Sequence, residues 1–337
     1  AADPAPAAAE APRLARRSAA RLAQRRELGL VAAIVAILLP IAAINPRVLS
    51  LENLTAISMD AALLIIVAVA QMLIIVTRNI DLSIASVIGL SAYAAASVMQ
   101  ADPALGIAAG LGTACAVGVA CGLLNGLVIT RGGVPSIVVT LGTLAVFRGV
   151  NSVVAGGKQI SADQVPQAWL DMTGARLAGV PGVVVIAAAV LLAAALALRR
   201  MPAGRELYAI GSNPDGARLI GIRTDRRVLT TFAVAGLLAG LDGALWASRY
   251  ATVDARVAMG YELTVIAAVV VGGVAIRGGS GTVLGTLLGA LLLLVINNGL
   301  TLVRVDPLWL QGIYGLVILA AVAIDAAIAR RGRTGAA

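Results

Sequence analysis

Apolar stretches of membrane-crossing length, interrupted by arginine-bearing segments, constrain this chain more than any other feature. A helix needs about 20 mostly apolar residues to cross a bilayer. Candidate spans fall near residues 28–44, 54–77, 81–99, 104–130, 135–154, 181–198, 228–248, 261–276, 283–303 and 308–329. The reading is an all-α, polytopic membrane protein of about ten transmembrane helices. Composition agrees: 60% of the 337 residues are apolar and 13% charged, with a mean hydropathy of +0.95. A soluble domain has roughly 45–50% apolar and about 25% charged residues, so a water-soluble enzyme is excluded. The chain has no histidine, which removes an imidazole base or metal ligand. No metal and no cofactor are expected. Cys115 and Cys121 share one apolar run and read as small packing residues.

Orientation follows from the cations. If residue 1 lies inside, the cytoplasmic segments carry all but Arg47, Arg148, Lys158, Arg176, Arg249, Arg256 and Arg304 of the 26 basic residues. The positive-inside rule then places both termini in the cytoplasm. Residues 1–27, rich in Ala and Arg, read as a disordered cytoplasmic tail, 28–329 as the transmembrane domain, and 330–337 as a cytoplasmic C-terminal tail. The run from Leu28 to Ile44 ends in Asn45-Pro46-Arg47, without a small-residue cleavage site, and reads as a retained first helix. Trp169, Trp246, Tyr250, Tyr261 and Trp309 fall near outer ends of spans, where amphipathic rings prefer to sit. The net charge of +9 orients helices; with few aromatics interleaved, no nucleic-acid partner is expected.

Asp81-Leu82-Ser83-Ile84 opens the third span from inside and Glu262-Leu263-Thr264-Val265 opens the eighth from outside. That echo is compatible with an inverted five-plus-five repeat. Glycines recur four apart at Gly118, Gly122 and Gly126, at Gly236 and Gly240, and at Gly285 and Gly289. Such spacing lets helix backbones approach closely, chiefly within one subunit, with a dimer seam as the other reading. A phosphate-binding loop is absent: the one lysine sits in Ala155-Gly156-Gly157-Lys158-Gln159, with Ser152 in place of the first glycine. The chain is therefore not expected to be an enzyme; nucleotide energy would come from a partner.

Polar groups inside spans mark a pathway or a pair. They are Asp60, Gln71, Asn125, Asp242, Asn297, Asn298 and Asp325, with Asp81 at a span's edge. Asp81 stands where an N-cap carboxylate would accept the first free amides of the third helix. Asp242 and Arg249, seven apart on one face, suggest an internal ion pair or a shared water cavity. The neutral amides suit a ligand that must leave as readily as it enters. The expected pathway lining is thus Gln71, Asn125, Asn297 and Asn298, with the hydroxyls of Thr140 and Thr143. Asp81, Ser83, Asp242, Gly272 and Gly273 are expected to be structural or gating residues.

The longest polar segment, 199–227, contains Gly204-Arg205-Glu206-Leu207-Tyr208-Ala209-Ile210-Gly211-Ser212-Asn213-Pro214-Asp215-Gly216-Ala217-Arg218-Leu219-Ile220-Gly221-Ile222. Ser212 or Asn213 can cap a short helix, Pro214 suits its first turn, and Gly221 can end it. A bare reading is a solvated basic connector.

That segment resembles the coupling segment of ribose-type sugar permeases of ATP-binding-cassette (ABC) importers, with Gly216 replacing an alanine. Three further blocks agree: Asn79-Ile80-Asp81-Leu82-Ser83-Ile84-Ala85-Ser86; Pro135 to Thr143 with Arg148-Gly149; and Ala268 to Gly273, continuing through Gly278-Gly279-Ser280-Gly281 to Gly285-Thr286. The resemblance covers about residues 53–325. The Asp81 block and the stretch from Arg249 to Gly260 are most similar to permeases associated with rhamnose or autoinducer-2. The resemblance implies a dimer with an identical or related permease, cytoplasmic ATPase subunits and a periplasmic sugar-binding protein. ATPase contact is expected at Ser212, Asn213, Ala217, Arg218 and Gly221, and binding-protein contact at Lys158, Arg176, Arg256 and Arg304. The rival class is a proton-coupled secondary sugar transporter using Asp60, Asp242 or Asp325.

Overall fold

The computed structural model describes residues 7–304 and the isolated positions 309, 312, 313, 315, 316 and 319, with side chains from residue 26 onward. In chain order the helices are α1 (Ala7–Ile44), α2 (Leu51–Val76), α3 (Ile84–Ala101), α4 (Gly106–Gly132), α5 (Ser136–Ala155), α6 (Gln167–Asp171), α7 (Gly182–Arg200), α8 (Pro202–Ser212), α9 (Pro214–Leu219), α10 (Thr224–Tyr250), α11 (Tyr261–Val271) and α12 (Val283–Leu302). Between α6 and α7 a small antiparallel hairpin pairs β1 (Arg176–Leu177) with β2 (Val180–Pro181). Among the described residues eight helices are long and apolar enough to cross a membrane: α1, α2, α3, α4, α5, α7, α10 and α12.

The span order expected from hydropathy is thus recovered over eight stretches. The eighth expected span, 261–276, is corrected. Helix α11 has 11 residues, a length of roughly 16 Å, about half a hydrocarbon core. It ends at Gly272, whose neighbour Gly273 has a φ of +96°, a conformation open to glycine and costly for other residues. The chain then returns through 272–282 without a regular helix to α12. The tenth expected span, Asp325 and the 330–337 tail lie outside the described residues, apart from the isolated positions above. Helix α1 begins at Ala7, so the described part of the segment read as a disordered tail is helical. Its alanines and arginines are strong helix formers.

Helix α2 is the centre. From Leu63 to Val76 nearly every side chain is buried, as expected for a helix apolar on all sides. Helix α10 lies against α2, α3 and α4. It touches α4 at backbone distance: a β-carbon at Gly236 would meet the carbonyl of Gly118, and one at Gly240 the carbonyl of Ala114. Gly285 and Gly289 of α12 likewise face Gly272 and Ala268 of α11. The glycine stripes therefore pack helices within this chain. Free cysteine Cys121 is buried and Cys115 half-buried, the latter against Gly240.

Trp169 of α6 is fully buried, with its ring against Gly110 of α4, so it plugs that end of the bundle.

Candidate transport site and coupling surface

Two ends of the bundle can be told apart by what joins them. One carries α8 and α9; the other carries α6, the hairpin and the 251–260 segment. Polar side chains gather in three places.

The first lies where α2 breaks before α3. In the non-helical segment 77–83, Thr77, Asp81 and Ser83 are buried while Arg78 is exposed, and side chains from three helices hold it. Asp81 Oδ1 accepts from the Ser83 amide at 2.8 Å and from Ser83 Oγ at 2.6 Å. Asn125 Nδ2 of α4 donates to Ser83 Oγ at 2.8 Å. Thr140 Oγ1 of α5 donates to the Ile80 carbonyl at 3.1 Å, and the Ile80 amide donates to Ser136 Oγ at 3.1 Å. The Gln71 amide pairs with the Asp81 backbone, its nitrogen donating to the carbonyl and its oxygen accepting from the amide, each at 3.2 Å. Thr143 is buried beside Thr140, whose carbonyl accepts its hydroxyl at 3.4 Å. The helix N-cap is Ser83 rather than Asp81; Asp81 acts two residues earlier by closing a turn on the Ser83 amide. Gln71, Asn125 and Thr140 thus surround a break in the helix ladder, with Thr143 one turn away on α5. Irregular backbone at membrane depth needs this kind of satisfaction.

The second place is a cavity of about 420 Å³ at the opposite end, between α2, α10, α11 and α12. Asp60, Trp246, Tyr250, Tyr261, Asn297 and Asn298 line it, with Thr264 and Thr301. Asp60 Oδ1 pairs with Arg249 Nη2 at 3.1 Å and Nε at 3.2 Å, and accepts from the Tyr250 hydroxyl at 3.4 Å. The Trp246 ring lies 4.8 Å from Tyr250 and 5.1 Å from Tyr261, the latter edge-on. Asn298 exchanges amide hydrogen bonds with Asn53 at 3.0 and 3.1 Å. The expected Asp242–Arg249 ion pair is corrected here. Arg249 is taken by Asp60 on α2, and among the described residues both Asp242 oxygens are buried without a hydrogen-bond donor. Of the six expected pathway residues, only Asn297 and Asn298 face this cavity.

The third place is the polar segment after α7. Asn213 caps α9 by accepting the Gly216 amide at 3.0 Å, and Pro214 occupies the first turn. Gly221 leaves α9 with a φ of +86°. Cap, turn and stop fall where the sequence places them. The outward face does not. Ala217 is only 3% exposed, whereas Leu219 and Ile220 are 88% and 76% exposed. Arg218 bonds Thr224 Oγ1 at 2.9 Å and pairs with Asp225 at 3.5 Å, so it braces α9 against α10. Arg227 hydrogen-bonds Glu206 and holds its carboxyl below the usual carboxylate range. Burial raises the Tyr208 phenol above its ordinary value, and its hydroxyl donates to the Gly281 carbonyl at 2.9 Å.

Sequence reasoning missed how α8 is tied to the two breaks. Arg78 Nε donates to the Gly211 carbonyl at 2.5 Å and its Nη2 to the Ser212 carbonyl at 2.8 Å. The Gly279 amide donates to the Val76 carbonyl at 2.9 Å. A β-carbon at Gly211 would collide with both Val76 and Gly279. Segments 77–83, 272–282 and the end of α8 thus form one knot. The visible signal was a lone arginine, Arg78, beside a break that follows a long, mostly apolar helix.

Gly272 is the α11–α12 contact, and Gly273 sits against the Arg26 side chain. Lys158, Arg176, Arg256 and Arg304 are all exposed. A bridge between Ile160 and Val253 holds the segments carrying Lys158 and Arg256 side by side.

Eight apolar helices among the described residues, one of them a buried centre that ends in an irregular segment, with a polar vestibule at one end and a capped, exposed apolar turn at the other, describe a transport permease. Residues 53–322 match the family described as "Branched-chain amino acid transport system / permease component", and the chain belongs to that family. It is 35% identical over 308 residues, 90% of each chain, to a probable ABC transporter permease protein, y4mJ, of Sinorhizobium fredii. It is 33% identical over 300 residues, 89% of each chain, to the autoinducer 2 import system permease protein LsrC of Photorhabdus laumondii. With the LsrC protein of Yersinia pseudotuberculosis the identity is 35% over 282 residues, 84% of this chain and 79% of the relative. No solved structure matches significantly. The chain is a membrane-embedded ABC transporter permease component; hydrolysis belongs to a separate subunit.

Proposed function

We propose that this permease imports a small, hydroxyl-rich molecule of the sugar or autoinducer-2 kind. A soluble binding protein delivers it to the Asp60–Asn298 vestibule, and ATPase subunits act on α9 from the cytoplasmic side of the inner membrane. Both termini then lie in the cytoplasm, and a second permease, identical or related, completes the membrane unit. The single observation that carries the reading is the knot at Gly211. It joins the exposed turn at Leu219 and Ile220 to the two non-helical segments 77–83 and 272–282. A rigid connection of that kind lets a push on α9 change the packing of α2, α3 and α11 together, as alternating access requires. The vestibule supports the cargo class: amides and hydroxyls bond sugar hydroxyls, while aromatic rings cover their apolar faces. Relatives named for autoinducer 2 import favour the same chemistry.

The test is uptake into vesicles holding permease, ATPase and binding protein. Uptake is expected to stop without ATP and to continue when the proton gradient is dissipated. The reverse result would favour the proton-coupled class and overturn this reading.

A further inference from the structure

We propose that Asp242 is a second, inner contact for the cargo, reached from the vestibule when the Trp246–Tyr261 ring pair parts. The inference rests on the permease reading above and adds a residue, a gate and a demand on cargo chemistry to it. Asp242 is fully buried, and among the described residues neither carboxylate oxygen meets a hydrogen-bond donor. A buried carboxylate left unpaired is costly, so a fold retains one where something else compensates it. Its expected partner, Arg249, is bound to Asp60.

Position supplies the second observation. Asp242, Trp246 and Arg249 follow one another at four and three residues along one face of α10. Trp246 lines the vestibule, so Asp242 stands one helical turn, about 6 Å, deeper into the membrane. Side chains on a helix lean toward its N-terminus, which lays the Trp246 ring over the Asp242 level. That ring is held edge-on by Tyr261 of α11 and tilted against Tyr250. Helix α11 is the short helix that ends at Gly272 within the bundle, and its far end continues into the knot at Gly279. Motion of that knot would therefore reach Tyr261 and release Trp246.

The chemistry narrows the cargo. A carboxylate pair of oxygens accepts two hydrogen bonds from adjacent hydroxyls, and in a dry site the donors must be present to offset desolvation. Two neighbouring hydroxyls on a neutral molecule fit this; an anionic cargo with no hydrogen-bond donor of its own does not.

The experiment uses the complete complex in proteoliposomes. In Asp242→Asn and Asp242→Leu, uptake is expected to fall about tenfold or more, the loss of one good charge-assisted contact, with the complex assembled in normal amount. Wild-type uptake in Asp242→Leu overturns the proposal. A second arm does not depend on transport. Asp242→Cys is made in a Cys115→Ala, Cys121→Ala background and treated from the vestibule side with an impermeant thiol reagent. Labelling is expected only when Trp246→Ala is added, and a vicinal diol sugar at high concentration is expected to slow it. Equal labelling with and without Trp246, or none in either, overturns the gate. ATP-independent uptake by the wild-type complex would instead sink the importer reading, and the labelling arm would still report on Asp242.

Discussion

Asp81 uses one oxygen to hold both the amide and the hydroxyl of Ser83, and both donors are buried. Asp81→Ala leaves them unsatisfied at a costly position, an expected loss of ~1–3 kcal/mol. Asp81→Asn keeps an acceptor oxygen and should cost less. Thermal unfolding of the detergent-solubilised permease checks the order; a midpoint for Asp81→Ala equal to wild type would refute it. This residue was legible in the sequence as a helix-start carboxylate because its partner is two residues away. Arg249 was not, since its partner Asp60 is 189 residues distant, and spacing along one helix offered Asp242 instead. Local hydrogen bonds leave a pattern in the chain; pairs between helices leave none. The same limit applies to Gln71, Asn125, Thr140 and Thr143. Their polarity inside apolar spans marked them as a pathway lining, whereas three-dimensional placement shows Gln71, Asn125 and Thr140 bonded to the 77–83 break and Thr143 bonded to the Thr140 carbonyl.

At the scale of elements, glycines inside spans have different neighbours. Gly236 faces the Gly118 backbone across the α4–α10 contact, whereas Gly142 on α5 has nothing within 4 Å of an added β-carbon. Gly236→Leu is therefore expected to force the helices apart at a cost of ~1–3 kcal/mol or more, with Gly142→Ala near neutral. Expression level and unfolding midpoint measured for the pair should separate them, and equal effects would show that the α4–α10 approach is not limiting. Helix α9 makes a parallel case. Its cap, proline and terminal glycine could be read directly, because each acts within a few residues. Which side it presents depends on where α10 lies. Since Ala217 is covered and Leu219 and Ile220 project, Leu219→Asp or Ile220→Asp should abolish capture of the ATPase subunit. A polar residue at an apolar docking contact costs its desolvation as well as the lost packing. Co-purification measures this; full capture by the double variant would remove the turn from the docking surface.

At the scale of the whole molecule, the proposed coupling would run from α8 through the two irregular segments to the buried helix α2. Close helix packing at α4–α10 and α11–α12 through glycine backbones leaves little slack, so force applied at one end is transmitted rather than absorbed. The contact that admits that force is narrow: Gly211 against Val76 and Gly279, flanked by the two Arg78 hydrogen bonds. Gly211→Ala places a methyl group where backbone atoms already stand, and α8 must withdraw from both breaks. The ATPase would still dock, because Leu219 and Ile220 lie beyond the altered contact. Hydrolysis should then continue while uptake per ATP hydrolysed falls by about tenfold, a loss near 1.4 kcal/mol of coupling. Arg78→Ala removes the flanking bonds without adding bulk and should produce the same direction of change to a smaller extent. The ratio of uptake to hydrolysis, measured in the same vesicles, is the quantity to follow. A ratio unchanged in both variants would mean that motion reaches the bundle through α10 and the Arg218–Asp225 brace instead.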